Sequence, residues 1–136
     1  MHRKNRRTLL VVWSAAILVA TLFPGNRIPD LKQLKNIDGF DLFVHGLLFL
    51  VWSMLILRAL YNREQARKWR CQPIVIAIIA GMVFGAFTEF LQFLIPVNRQ
   101  ASWFDFMADS AGTFVGVAIW LLNPRGHQQK KSILQG

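Results

Sequence analysis

The chain alternates long apolar runs with short polar segments. Apolar residues dominate 8–23, 40–61, 74–96 and 103–122, and polar or basic residues fill the intervals. The last three runs are long enough to form helices that cross a bilayer, since a span needs about 20 apolar residues, and the first, of 16, is on the short side. Arg7 can snorkel at the end of that first run. Pro24-Gly25, Pro73, Pro96 and Asn123-Pro124 punctuate the runs, and proline suits a first turn or a stop rather than a helix interior. The pattern predicts an all-α polytopic membrane protein. It is a four-transmembrane-helix bundle in one domain, 1–136, with a basic head 1–7 and a polar tail 123–136. The head and first run resemble a signal peptide, but no small-x-small cleavage site follows and further spans do.

Within the last two runs the polar residues fall on faces. Gly81, Gly85, Glu89 and Gln92 are spaced four, four and three apart, as one helical face requires. Asp105, Asp109, Gly112 and Gly116 do the same in the fourth run. The hinge 97–102 is short, so the third and fourth helices are expected to be antiparallel neighbours. That arrangement sets Gly81 and Gly85 opposite Gly112 and Gly116 as helix-packing surfaces, and Glu89 and Gln92 near Asp105 and Asp109. In the second run, Asp41 and His45 stand one turn apart.

Composition sharpens this picture. The chain has 136 residues, 54% hydrophobic, and a net charge of +9. Nucleic-acid binding is set aside, because the basic residues are scattered through short segments rather than gathered in one motif. Arg3, Lys4, Arg6, Arg7, Arg58, Arg63, Arg67, Lys68, Arg70, Arg125, Lys130 and Lys131 fall on one side of the predicted topology. Only Arg27, Lys32, Lys35 and Arg99 fall on the other. The positive-inside rule therefore predicts both termini in the cytoplasm. The single cysteine, Cys71, excludes an intrachain disulfide.

With that orientation, Asp41, His45, Glu89, Asp105 and Asp109 gather toward the outer leaflet, and the inner halves of the spans carry no acid. Ionisable groups in spans are expensive and mark functional sites by default. Asp41 and Asp105 also suit the positive end of a helix dipole, and Ser102 suits a helix cap. His45 by itself reads most simply as a packed, hydrogen-bonded histidine. Arg99 can meet a carboxylate or an anion, and Trp103 and Trp13 are candidate interface anchors. Close carboxylates in a low-dielectric site do not all ionise together. Glu89 or Asp109 beside His45 could then act as general acid or base, or the group could hold a divalent cation. With one candidate imidazole in the spans and no HExxH spacing, no metal and no cofactor are expected.

The ordered set His45, Glu89-x-x-Gln92, Pro96-x-x-Arg99, then Ser102-x-x-Asp105-x-x-x-Asp109-x-x-Gly112 resembles the VanZ-like family of small bacterial membrane proteins. The resemblance runs over about residues 8–122. Family members usually carry Asn where this chain has Asp109, so this chain adds a carboxylate. The resemblance implies a four-span bundle in the bacterial cytoplasmic (inner) membrane and a link to teicoplanin resistance, but no defined reaction. Asp41, His45, Glu89, Gln92, Arg99, Ser102, Asp105 and Asp109 are then expected to form a ligand-binding pocket. Its partners would be membrane lipids and a cell-envelope precursor or glycopeptide-related ligand, and small-residue faces would permit a homo-oligomer. Two other readings stand beside it: an acid/base enzyme on a lipid-linked substrate, and a structural subunit of a membrane complex.

Overall fold

The computed structural model describes residues 3–22, 39–60, 72–95 and 102–122. They form four helices: α1 (Arg3–Leu22), α2 (Phe40–Leu60), α3 (Gln72–Leu94) and α4 (Trp103–Leu122). All four are long and apolar enough to cross a membrane, with mean hydropathies of 1.2, 2.1, 2.3 and 1.3 in chain order. At about 1.5 Å per residue, each covers the roughly 30 Å of a hydrocarbon core.

The bounds differ most from the pattern in two helices. Helix α1 begins at Arg3 rather than at residue 8, because lysine and arginine are good helix formers and nothing in 3–7 breaks the helix. Helix α3 begins at Gln72, with Pro73 in its first turn, and ends at Leu94. The residue before a proline is disfavoured in the α region, so helix stops short of Pro96.

The distribution of side chains is that of a protein in lipid. Large apolar residues cover the outside: Phe93 is 77% exposed and Trp103 is 82% exposed. Inside lie Phe49, Trp52, Ile17 and Leu57, together with Thr21, His45, Ser53, Thr88, Gln92, Asp109 and Thr113. Most of the buried hydroxyls donate within their own helix, Thr88 to the Gly85 carbonyl at 2.7 Å and Thr113 to the Asp109 carbonyl at 2.9 Å. That satisfies them where lipid offers no partner.

Helices α2 and α4 make the most extensive pairing. Glycine causes it: a Cβ on Gly112 would land on the Gly46 carbonyl, and one on Gly116 would strike Ser53 Oγ and the Leu50 carbonyl. The glycines of α3 meet α4 differently. A Cβ on Gly81 would stand 2.6 Å from Thr113 Cγ2, and one on Gly85 would stand 3.2 Å from Asp109 Cβ. The expected facing of Gly81 and Gly85 onto Gly112 and Gly116 is therefore replaced by two separate contacts. The faces are about 100° wide, and α4 turns its glycines to α2 and its Asp109–Thr113 edge to α3.

Helix α1 packs against α2 and α3. Trp13 Nε1 donates to the Leu48 carbonyl at 3.1 Å, and Trp52 Nε1 donates to Ser14 Oγ at 2.9 Å. Trp13 is thus a half-buried tie between α1 and α2 rather than an interface anchor. At the end where α1 begins, Arg6 Nη1 donates to the Arg58 carbonyl at 3.4 Å.

Candidate functional site

The polar residues meet at the end of the bundle where α1 and α3 finish and α2 and α4 begin. Gly39, at φ +86°, starts α2: its carbonyl accepts the Phe43 N–H at 3.0 Å. One and a half turns on, His45 points inward and is 1% exposed. Its Nδ1 lies 3.0 Å from Asp109 Oδ1 of α4, itself 1% exposed. With Asp109 as carboxylate, Nδ1 carries the proton and donates. On the other side of the ring, Nε2 lies 3.9 Å from Asp105 Oδ2. One imidazole therefore stands between two acids one turn apart on α4.

Glu89 reaches the same place from α3. Its Oε2 accepts the Ser102 N–H at 2.8 Å. Ser102 in turn caps α4: its Oγ accepts the Phe104 N–H at 3.2 Å, and its carbonyl accepts the Asp105 N–H at 3.0 Å. In a capping box the glutamate that binds the N-cap amide sits three residues later in the same helix. Here the third helical residue is Asp105, which turns to His45, and Glu89 takes the amide from the neighbouring helix. The start of α4 is thus fixed by α3.

Gln92, one turn on from Glu89, lies closer to the end of the bundle. It is 1% exposed and its Nε2 donates to the Thr21 carbonyl of α1 at 3.2 Å. Accordingly it ties α3 to the end of α1 rather than sharing contacts with Asp105 and Asp109. Asp41 is half-buried in the first turn of α2. Arg99 and the rest of the hinge, 96–101, lie outside the described residues, as do the first loop and the C-terminal tail.

Three side-chain atoms in this region are buried without a hydrogen-bond partner among the described residues: Glu89 Oε1, Asp109 Oδ2 and Gln92 Oε1. Buried polar atoms are normally paired, so these three atoms are the exceptions in this region. His45, Glu89 and Asp109 each offer a ligand-type atom within 4.8 Å of the others.

A cleft of about 420 Å³ opens beside this cluster, between α3 and α4. Phe90, Phe93, Trp103 and Phe106 form most of its wall, with Ala86, and Glu89 and Ser102 supply its polar end. Trp103 and Phe106 meet edge to face, their centroids 6.4 Å apart. The rim residues Phe93 and Trp103 are exposed on the perimeter of the bundle, so the mouth opens to its outside. Sequence spacing points to Glu89 and Ser102 but not to this wall. Phe90 and Phe93 look like ordinary lipid-facing residues, and only the pairing of α3 with α4 makes them one surface with Trp103 and Phe106.

Comparison with known proteins agrees with the membrane architecture. No curated protein and no solved structure matches this chain. The family model VanZ/LLP1 matches residues 3–123, which include all four helices, the buried cluster and both walls of the cleft. The chain is a multi-pass membrane protein, and it belongs to the VanZ/LLP1 family.

Proposed function

We propose that the cleft between α3 and α4 receives a membrane-embedded amphiphile of the cell envelope, a lipid headgroup or a lipid-linked peptidoglycan precursor, with Glu89 and Ser102 at its polar end. The observation that carries this reading is the form of the cleft. Its aromatic wall lies on the outside of the bundle, and its other end is a half-buried carboxylate. A soluble ligand has no reason to enter from the bilayer, whereas an amphiphile brings an apolar tail for Phe90 and Phe93 and a polar group for Glu89. The distribution of Lys and Arg supports the reading that this end of the bundle lies at the outer face of the cytoplasmic (inner) membrane of a bacterium. Binding a precursor there would change how glycopeptides reach it, which is the link to teicoplanin.

The test is teicoplanin susceptibility in a host that glycopeptides can enter, with wild type and Glu89→Gln at matched abundance. Wild type is expected to raise the inhibitory concentration and Glu89→Gln to lose most of that rise. A wild type that changes nothing removes the antibiotic link. A fully active Glu89→Gln removes the carboxylate from the ligand site.

A second reading rests on the His45–Asp109 contact. An imidazole held by one carboxylate, with a second carboxylate close by, is the arrangement of a general base and its orienting group. The protein would then act on the amphiphile rather than only hold it. Turnover of a lipid-linked precursor by purified protein, abolished in His45→Ala, separates the two.

A further inference from the structure

We infer that His45, Glu89 and Asp109 form a binding site for one divalent cation of the zinc class, at the inner end of the cleft between α3 and α4. The site is assembled from three helices. His45 comes from α2, Glu89 from α3 and Asp109 from α4, and one ligand-type atom from each lies within 4.8 Å of the others. Around one zinc ion, with bonds of about 2.0–2.2 Å, ligand atoms stand roughly 3.3–3.6 Å apart. The largest separation must therefore close by about 1 Å, which side-chain torsions supply without moving a helix.

The hydrogen bonds single out the ligand atoms. Asp109 uses Oδ1 for His45 and leaves Oδ2 buried and unpartnered. Glu89 uses Oε2 for the Ser102 amide and leaves Oε1 buried and unpartnered. Glu89 is thus oriented by an outer partner through one oxygen and free at the other, as a metal-ligating carboxylate is, whereas the Asp109–His45 hydrogen bond joins two of the ligands and gives up its proton when the ion takes its place. Space is kept for the free oxygen of Asp109: a Cβ on Gly85 would stand 3.3 Å from Oδ2. Gly85 lies one turn before Glu89 on the same face, so that oxygen lies against the stretch of α3 that carries Glu89.

Charge and donor type select the ion. Two carboxylates in a low-dielectric interior are neutralised by one divalent cation with a neutral imidazole. Calcium takes six to eight oxygen ligands, and magnesium prefers water and phosphate oxygens. One imidazole nitrogen and two carboxylate oxygens match zinc with three protein ligands and an open fourth position. Because Glu89 also lines the cleft, that position would face the ligand space. The inference does not depend on what the cleft receives.

The measurement is zinc content and affinity of tag-free protein purified in detergent, by metal analysis and calorimetric titration with Zn²⁺. The background is His2→Ala, Cys71→Ser, His127→Ala, which removes the other imidazoles and the thiol. One zinc per chain is expected, with affinity reduced at least tenfold in His45→Ala, Glu89→Gln and Asp109→Asn, since even an outer partner of a metal ligand is typically worth about that much. If His45→Ala elutes as aggregate, Glu89→Gln decides, because glutamine still accepts the Ser102 amide. Failure of the background protein to bind zinc stoichiometrically, or binding unchanged in Glu89→Gln and Asp109→Asn, overturns the site. Neither result depends on teicoplanin, so loss of the antibiotic link leaves this test intact.

Discussion

Helix α4 is gripped on two sides in two different ways. Against α2 it lies backbone to backbone: Gly112 meets the Gly46 carbonyl, and Gly116 meets Ser53 and Leu50. Against α3 it presents side chains, Thr113 into the space over Gly81 and Asp109 into the space over Gly85. The first contact leaves no room for anything else. Beside the second, toward one end of the bundle, lie unpartnered carboxylate oxygens and an aromatic cleft. In lipid the hydrophobic effect does not hold helices together, so close packing of small residues must. The α2–α4 contact supplies that packing. It lets the α3–α4 contact carry buried polar groups that by themselves would destabilise the bundle.

Filling the tight side should therefore have the largest consequence. Gly112→Val places branched carbons on the Gly46 carbonyl, which is backbone and cannot rotate away. Overpacking of a well-packed interior costs typically 1–3 kcal/mol, occasionally more, and here a loss of at least about 3 kcal/mol is expected. Gly81→Ala meets only the Thr113 side chain, which has another rotamer, so a loss of about 1 kcal/mol is expected. Unfolding in detergent, followed by helicity or by accessibility of an engineered thiol, measures both. Equal losses would mean that the two contacts are equally close, and the contrast would disappear.

That contrast also explains how much of the molecule is legible in its sequence. Four apolar runs, their stops at proline, and the gathering of His45, Glu89, Asp105 and Asp109 at one end all follow from period and composition. The partner of each glycine does not. Spacings of three and four put residues on a common face, but a face spans about a third of a helix and can meet two neighbours. Gly112 and Gly116 turned to α2, and Asp109 on nearly the same stripe met α3 and His45. Gln92 shares the stripe of Glu89, yet it reaches α1, because one further turn carries it past the start of α4. Ser102 was legible as a cap, but its glutamate was not, since the box is completed from another helix.

Removing the centre of the polar side should have the next largest effect. His45→Ala opens a cavity at a site that is 1% exposed and leaves both Asp109 oxygens without a partner. The cavity and the orphaned acceptor together should lower stability by about 2–3 kcal/mol. Asp109→Asn keeps an oxygen that can accept from Nδ1, and about 1 kcal/mol or less is expected. The pair is read by thermal unfolding at one pH. If Asp109→Asn is as damaging as His45→Ala, charge rather than hydrogen bonding holds the two helices together.

The smallest effect on stability should come from the wall of the cleft, and that is where stability and function separate most cleanly. Phe93 is 77% exposed on α3 and lines the cleft, and Phe43 is 66% exposed on α2 near the same end of the bundle but is not part of its wall. Neither ring supports the packed interior. Truncating either to alanine should change stability by no more than about 0.5 kcal/mol, as for surface positions generally. If the cleft takes the tail of an amphiphile, Phe93→Ala should weaken the effect on teicoplanin susceptibility, and Phe43→Ala should leave it at the wild-type value. Matched abundance makes the comparison direct, because both variants present the same chemistry to lipid. Equal loss in the two would mean that any exposed ring near this end contributes through the bilayer. No loss in either would move the ligand away from the α3–α4 wall, leaving the buried cluster to act without it.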